Sequence, residues 1–531
     1  MRAAGIRIKT PLALGLIGAL ALGLRVWGMD YGLPHPTSRP DEERIVGRAQ
    51  TIFATGEWHP GSFYYPSLLF YVNTVALYGY YGAKKLVGDY ERPFDFLFDI
   101  AVTRPGLHYR ISRFVSVLAG VGTALATYTL GLAAYRRRSA ALLAALALAV
   151  CHVHVRDSHF ATVDIPVTLF VTLSLVFATR LLENASSKNA ALAGLCAGLA
   201  ASTKYNGGLV AAAVAVALWR VRAQMSRWIC AGLAAMLAFA LTSPYVVLRF
   251  AAFRNDMSFL QDFLYGSTES PIALWTQLRT TLPAGLGYGL FLASGVGAAV
   301  AVKRRNDADI VLLSFLVPFF LIVSSVRITF PRYVLPLVPV LAILASDVVA
   351  SLIARVPRRR CALAWTVAVV ALIAPSLSSS LSFDRIAARL DTRVEAARFI
   401  AATTPPQTRI LLCGGYGAPP VNEDRRRPPA YRVEVIDCLS QPPPLAAFDQ
   451  ARLLVTHEHR ELSAFSRVAP ELLEWLEFHA ESIASFDPYR RESQATPFFF
   501  GSDAFYIPYA GFEAVVRGGP LVRVWELPVL E

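Results

Sequence analysis

The chain runs to 531 residues, 55% of them hydrophobic and only 17% charged, with a mean hydropathy of +0.44. A soluble protein of this size needs far more polar surface to cover its core, which excludes that class. The formal charge of +13 does not point to nucleic acid: the basic clusters fall in short loops between apolar runs, and no basic stripe with interleaved aromatics occurs.

At the N-terminus Arg2, Arg7 and Lys9 precede an apolar run from Pro11, in the manner of a signal peptide. Arg25-Val26-Trp27 stands where a small-residue cleavage site would have to be, so the run reads as a retained signal anchor. Crossing a hydrocarbon core of about 30 Å takes roughly 20 apolar residues. Runs of that kind predict spans at 11–28, 112–135, 139–154, 165–182, 190–203, 207–220, 228–243, 283–302, 309–326, 331–354 and 361–376. With the N-terminus inside and a crossing at each, Arg136-Arg137-Arg138, the group Arg220, Arg222 and Arg227, Lys303-Arg304-Arg305 and Arg358-Arg359-Arg360 all fall inside, as the positive-inside rule requires. The parity holds only if the apolar stretch 64–83 makes no single crossing: it lies in the interface, dips in and returns, or pairs with a partner near 94–102. Lys84-Lys85 pulls toward a true crossing, so the count is 11 or 13 transmembrane helices. The junction Lys204-Tyr205-Asn206-Gly207-Gly208 reads as a turn that keeps 190–203 and 207–220 apart.

Composition changes near residue 377, which divides the chain into a membrane module, 1–376, and a tail, 377–531, that parity places outside. The tail alternates short apolar runs with loops such as Pro405-Pro406, Pro419-Pro420 and Pro442-Pro443-Pro444. Asp391 to Ala402 predicts an amphipathic helix, Arg409–Cys413, Arg432–Ile436 and Arg452–Thr456 predict strands, and 461–483 a further helix, giving a mixed α/β domain. Cys151, Cys196, Cys230 and Cys361 sit in or beside spans as apolar residues, whereas Cys413 and Cys438 lie in the tail, where a disulfide and two unpaired thiols are both open. No CxxC or His-Cys metal spacing occurs.

On this topology the outside loops hold the unusual chemistry. The first carries Arg39-Pro40-Asp41-Glu42-Glu43-Arg44, Trp58-His59-Pro60 and Tyr64-Tyr65-Pro66-Ser67-Leu68; the next carries His152, His154, Arg156, Asp157, His159 and Asp164. Lys204-Tyr205, the loop 244–281, and Arg327 to Tyr333 follow. Charged groups near hydrocarbon are costly unless paired or functional. A carboxylate serves as general base on a hydroxyl acceptor, and Lys and Arg hold a phosphate as it leaves. Each residue also has a plainer reading. Pro40-Asp41-Glu42-Glu43 is a good helix start, Glu43 and Arg44 suit a helix surface, and the three histidines suit a wetted interfacial loop better than a metal. Asp164-Ile165-Pro166 resembles a helix start. Lys204 and Arg332 suit snorkelling anchors, although cations are less expected on the outer face.

These residues resemble the GT-C fold glycosyltransferases that use a phospholipid carrier, the glycosyltransferase 39 group of protein O-mannosyltransferases and aminoarabinose transferases. The likeness rests on Pro40-Asp41-Glu42 after the first span, Tyr65-Pro66-Ser67-Leu68, Ser158-His159 through Asp164-Ile165-Pro166, Ser202-Thr203-Lys204-Tyr205-Asn206-Gly207, and Phe330-Pro331-Arg332-Tyr333, with Asp503-Ala504-Phe505-Tyr506 near the end. It runs in order through 1–376 and more loosely through the tail. The resemblance implies a polytopic α-helical membrane protein of GT-C type and transfer of a sugar from a polyprenyl-phosphate carrier on the outer face of the plasma (inner) membrane, the N-terminus being cytoplasmic and the tail extracytoplasmic. Asp41 would be the catalytic base and Asp164 a second acidic catalytic residue. Lys204 and Arg332 would contact the donor phosphate, with Glu42, His59, Tyr65, His159, Tyr205 and Tyr333 as further substrate-binding candidates. The first outer loop of such enzymes carries interfacial helices, which suits 43–83. Two departures stand out: Tyr65-Pro66-Ser67-Leu68 lacks the second proline of many relatives, and no lysine precedes it. The second weakens any specific claim to the aminoarabinose reaction.

The reading is direct displacement at the anomeric carbon with inversion, no essential metal or other cofactor, and as partners the lipid-linked donor, membrane lipids and a hydroxyl acceptor of open identity. A transporter or flippase of a lipid-linked glycan is the rival; it should carry its ionisable residues mid-span, whereas Asp and Glu here gather at the outer ends.

Overall fold

Each apolar run that the hydropathy marks becomes helix, and the runs break or bend at Cys151, Lys204 and Gly287. The computed structural model describes residues 9–266, 273–422, 431–438, 448, 450–490 and 493–528; Arg2, Arg7 and the Pro442-Pro443-Pro444 loop lie outside these. Among the described residues, six helices are long and apolar enough to cross a membrane, opening at Leu107, Asp164, Met225, Asp307, Pro331 and Arg358, and two bent pairs raise this to eight. The expected span 139–154 is one bent pair, Arg138–Val150 and His152–Ser158, turned by 53°. The expected span 283–302 starts later, at Tyr288, because Gly287 (φ 77°) turns the chain by 119° from the helical stretch Leu274–Leu286. The stretch 64–83 contributes to one continuous helix, Leu68–Leu86, that ends on Lys84 and Lys85.

The chain groups into two units. The first comprises Met1–Val26, Glu57–Thr74 and Arg113–Leu381; the second comprises Trp27–Gly56, Val75–Ser112 and Ser382–Glu531.

In the first unit, helices Ser187–Thr203 and Met225–Thr242 pack backbone to backbone. Gly194 and Gly198, four residues apart, face the other helix so closely that an added Cβ would stand 2.0 Å from the Ala231 carbonyl oxygen and 2.2 Å from that of Ala235. This is the small-residue contact that membrane helices use where no hydrophobic drive exists between them. At another place Arg304 ties four helices together. It donates to Asp309 at 2.7 Å and to Asp347 at 2.8 Å, while Tyr135 donates to Asp309 at 2.7 Å.

The second unit is built around a five-stranded mixed sheet: β1 (Arg409–Cys413), β2 (Arg432–Ile436), β3 (Leu453–Glu458), β4 (Glu481–Phe486) and β5 (Leu521–Glu526), in the order β2-β1-β3-β5-β4. β1 lies parallel to β2 and β3, whereas β5 runs antiparallel to β3 and β4. The consecutive apolar residues of β1 and β3 suit strands covered on both faces. Helix Thr392–Thr403 opens on Asp391, whose carboxylate accepts from the Arg393 amide. The expected helix 461–483 is corrected. Only Pro470–His479 is helical, since Pro470 sets the first turn and 481–486 leaves as an edge strand. Cys413 and Cys438 are joined as a disulfide, their Cα atoms 5.4 Å apart, among Leu411, Leu454, Leu476 and Trp525. The first-loop helix Glu42–Thr55 closes on a second small core through Ala49 and Phe53, which pack with Leu77, Tyr90, Phe96, Ile100 and Leu107.

The glycine contact predicts that Gly194→Ala and Gly198→Ala each lower the thermal unfolding midpoint in detergent, by the equivalent of about 1–3 kcal/mol of overpacking. Gly232→Ala, on the second helix, should be neutral or slightly stabilising, because its new methyl group would meet nothing within 4 Å.

Candidate functional site

Three breaks between helices of the first unit bring together side chains far apart in sequence. Helix Ser187–Thr203 stops at Lys204, which is extended (φ −151°, ψ 128°), and a short helical segment, Tyr205–Val210, resumes. Gly207 is required there, because a Cβ would meet Val167 Cγ2 at 2.4 Å and the Ala200 carbonyl at 2.7 Å. Helix Asp164–Leu181 opens on Asp164, and the segment Pro331–Leu337 carries Arg332 and Tyr333. Lys204 Nζ donates to Asp164 Oδ1 at 2.7 Å, and Arg332 Nε stands 3.6 Å from Asp164 Oδ2. Asp164 and Arg332 are buried, and Lys204 keeps 18% of its side chain exposed. Lys204 sits over the Tyr333 ring at 4.6 Å, and Arg332 over Phe330 at 4.5 Å. Two cations thus converge on one buried carboxylate, and Lys204 is the partly exposed member of the three.

The Tyr65-Pro66-Ser67-Leu68 element is gripped beside Lys204. The Phe63 amide donates to Asp256 Oδ2 at 2.7 Å, Tyr205 OH donates to the Phe63 carbonyl at 3.1 Å, and the Ser67 amide donates to Ser243 Oγ at 3.0 Å. Ser243 in turn pairs with Ser202 at 2.6 Å. His59 stacks edge-on against Tyr245, 4.9 Å between centroids, and Tyr205 packs on Phe253. Tyr65 is half-buried. Asp256, Ser243 and Tyr245 were not singled out by sequence; lying in the outer loop 244–281 or at its edge was their only signal.

The histidine-rich stretch is a correction. Every residue of His152–Ser158, and His159 after it, is buried, where a wetted loop was expected. Arg25 accounts for this: its guanidinium donates to the Ala149 carbonyl at 2.9 Å and to the Leu148 carbonyl at 3.4 Å, both just before the bend, and bonds His154 Nδ1 at 2.9 Å and Ser158 Oγ at 3.2 Å. His159 donates through Nδ1 to the Val155 carbonyl at 2.8 Å.

Asp41 lies in the second unit. The Glu42 amide donates to the Arg39 carbonyl at 3.3 Å, closing a turn with Pro40 second and Asp41 third. Asp41 has φ 71° and ψ −18°, the third-position geometry of a type II turn, which normally selects glycine. An aspartate there carries about 1–2 kcal/mol of backbone strain, although Asp tolerates it better than most residues. The expected helix start is real, but Asp41 makes no capping hydrogen bond to it. Glu42 is buried, Arg44 exposed as expected, and Glu43 half-buried rather than on the surface. Burial, then the Asp41 and Glu42 carboxylates, pushes the Glu43 carboxyl above its ordinary range.

Around that turn the tail is densely polar. Arg39 donates to Asp503 at 2.7 Å with both side chains buried, and lies over Phe505 at 4.8 Å. Arg393 pairs with Asp391 at 2.7 Å, donates to the Tyr416 carbonyl at 2.6 Å, and stacks on Tyr506 at 4.9 Å. His457 bonds Ser466 Oγ at 3.0 Å, and Ser466 bonds Tyr506 OH at 2.7 Å. Burial lowers His457 and His459 to about 4 and His35 to about 3. Among the described residues no group of His, Cys, Asp and Glu is arranged to hold a metal.

The fold defines the class: a multi-pass membrane protein of GT-C type. It matches ArnT from Cupriavidus metallidurans solved with undecaprenyl phosphate (TM-score 0.54, 16% identity, 97% of this chain and 98% of that one). It also matches the Archaeoglobus fulgidus oligosaccharyltransferase (TM-score 0.55, 12% identity, 99% and 89%). In sequence, residues 52–255 match the family described as dolichyl-phosphate-mannose-protein mannosyltransferase. A protein of Aquifex aeolicus is 27% identical over 275 residues, 50% of this chain and 54% of that one. The undecaprenyl phosphate-alpha-4-amino-4-deoxy-L-arabinose arabinosyl transferase of Erwinia tasmaniensis is 25% identical over 249 residues, 44% of each. The chain thus spans about half the length of the curated relatives it matches.

The buried histidines predict a pH dependence. The unfolded chain binds protons below about 6.5, whereas folded His457 and His459 stay neutral to about 4. Stability should therefore fall as pH drops from about 6.5 to 4, by roughly 3 kcal/mol per histidine at the lower end. The unfolding midpoint of the solubilised chain against pH measures this, and His457→Gln should flatten the slope.

Proposed function

We propose that the chain transfers a sugar from a polyprenyl-phosphate carrier to a hydroxyl acceptor at the outer face of the plasma membrane, with its N-terminus cytoplasmic and its tail extracytoplasmic. The observation that carries the reading is the Asp164–Lys204–Arg332 cluster, a buried cationic seat with one partly open member. The GT-C likeness, an ArnT structure holding undecaprenyl phosphate and the match to a dolichyl-phosphate-mannose family support it.

A polyprenyl-phosphate sugar is a phosphodiester with a single negative charge, and the departing polyprenyl phosphate gains a second. A cationic seat therefore binds the leaving group more strongly than the bound donor, which is the differential that lowers a barrier. Lys204 and Arg332 hold the phosphate, and Asp164, already engaged by both, keeps them oriented. Asp41 takes the proton of the acceptor hydroxyl as its oxygen bonds to the anomeric carbon. The carbon–oxygen bond to phosphate breaks with its electron pair leaving on the phosphate, and the configuration inverts. Tyr333 and Tyr205 line the Lys204 side of the seat, with Tyr65 and His59 on the element next to it.

Membranes containing the chain and their native acceptors, supplied with undecaprenyl-phosphate mannose or undecaprenyl-phosphate aminoarabinose, should release undecaprenyl phosphate from one of the two, undiminished in EDTA. Asp41→Asn, which keeps the turn because Asn also tolerates positive φ, should lower release at least about 100-fold. Full turnover by a normally inserted Asp41→Asn contradicts the assignment.

A further inference from the structure

We infer that the buried Arg39–Asp503 pair is a positioning device for Asp41, so that the tail sets the geometry and charge environment of the base. The inference rests on the reading of Asp41 given above. Arg39 is the first residue of the Arg39-Pro40-Asp41-Glu42 turn and supplies the carbonyl that closes it. Its guanidinium is held at two points by the tail, by the Asp503 carboxylate at 2.7 Å and by the face of Phe505 at 4.8 Å. Phe505 is itself wedged edge-on against Tyr31, 5.5 Å between centroids, and beside Phe383. The turn cannot relax without moving a buried ion pair and its aromatic floor.

This anchoring answers a specific problem. The third position of such a turn favours glycine, and a left-handed aspartate persists only where its surroundings over-determine the backbone. The anchor sits two residues away and belongs to the segment Asp503-Ala504-Phe505-Tyr506, whose Tyr506 also carries Arg393. The pair also sets one charge of each sign close in sequence and space to the turn that carries Asp41. Other charged or titratable groups around the turn include Glu42, Glu43 and Arg44 on its own segment, and Tyr416 from the tail, whose hydroxyl is pushed up by burial and by Glu43 and Asp41. Arg393, paired with Asp391, holds the Tyr416 carbonyl. Removing either member changes the charge two residues or one ion pair away from Asp41 by one unit, and the two removals have opposite signs.

The test is the pH–rate profile of undecaprenyl phosphate release, with the donor of the pair above that turns over, for Arg39→Gln, Asp503→Asn and Arg39→Lys. Arg39→Gln removes a positive charge and should move the acid limb to higher pH; Asp503→Asn removes a negative charge and should move it to lower pH. Arg39→Lys keeps the charge and is the variant expected to insert normally even if the neutral ones do not. It should leave the limb in place yet lower kcat by about tenfold with donor KM within about twofold, because an ammonium cannot lie flat on Phe505 while it donates to Asp503. A purely structural pair would change yield and unfolding midpoint without opposite shifts of the limb. The proposal is overturned if inserted Arg39→Lys keeps wild-type kcat, or if Arg39→Gln and Asp503→Asn leave the limb where it is. Asp41→Asn in the same assay separates the two failures: if it is fully active the base assignment falls, and if it is inactive while the Arg39 and Asp503 variants match wild type, the positioning role alone falls.

Discussion

Asp164 holds Lys204 and Arg332 in one buried neighbourhood, and much of the first unit is arranged so that these three charges can exist there. An isolated ion in such surroundings costs several kcal/mol, so each must find its partner with good geometry. Asp164 stands at the first turn of its helix, where the positive end of the helix dipole also favours a carboxylate. Lys204 can reach it only because its helix ends one residue earlier, and that break depends on Gly207 fitting against Val167 and Ala200. The close glycine contact of the same helix with Met225–Thr242 fixes the level of the break. Local chain breaks thus become a charge cluster, the one proposed above to seat the carrier phosphate.

In the second unit a different constraint operates, on the backbone rather than on charge. Asp41 occupies a turn position suited to glycine, which exchanges local comfort for a side chain placed by a rigid turn. The surrounding pairs Arg39–Asp503 and Arg393–Asp391, each buried and each lying on an aromatic ring, supply the rigidity. Asp503-Ala504-Phe505-Tyr506, which has a familiar look in sequence but no role there, is the tail's contribution to that support.

What could be read from sequence followed the range of the forces involved. Helices set by apolar runs, the break at Lys204 and strands β1 and β2 were legible because each is decided within a few residues. The many-helix membrane class was legible for the same reason, its GT-C type only through the resemblance carried by motifs in chain order, and Asp164, Lys204 and Arg332 were legible as polar residues at helix ends. Contacts between distant residues were not legible. Nothing near Arg39 announces Asp503, 464 positions away, and nothing near Phe63 announces Asp256, 193 positions away. The histidine stretch misled because polar residues usually mark water, and its partner, Arg25, lies more than 120 positions earlier. The first half of strand β4, 481–483, reads as the end of a helix in sequence because the strand is defined by its pairing with β5 rather than by a strong alternation of its own. The Cys413–Cys438 bond is open at that level because it depends on β1 and β2 being parallel neighbours.

If Asp164, Lys204 and Arg332 form the seat of the carrier phosphate, the purified chain should bind undecaprenyl phosphate at equilibrium with neither sugar nor acceptor present. Lys204→Met and Arg332→Met should each weaken binding at least about tenfold, the worth of one charge-assisted hydrogen bond to phosphate, while Asp41→Asn binds as the wild type does. Undiminished binding by a folded Lys204→Met would place the phosphate elsewhere and contradict the account.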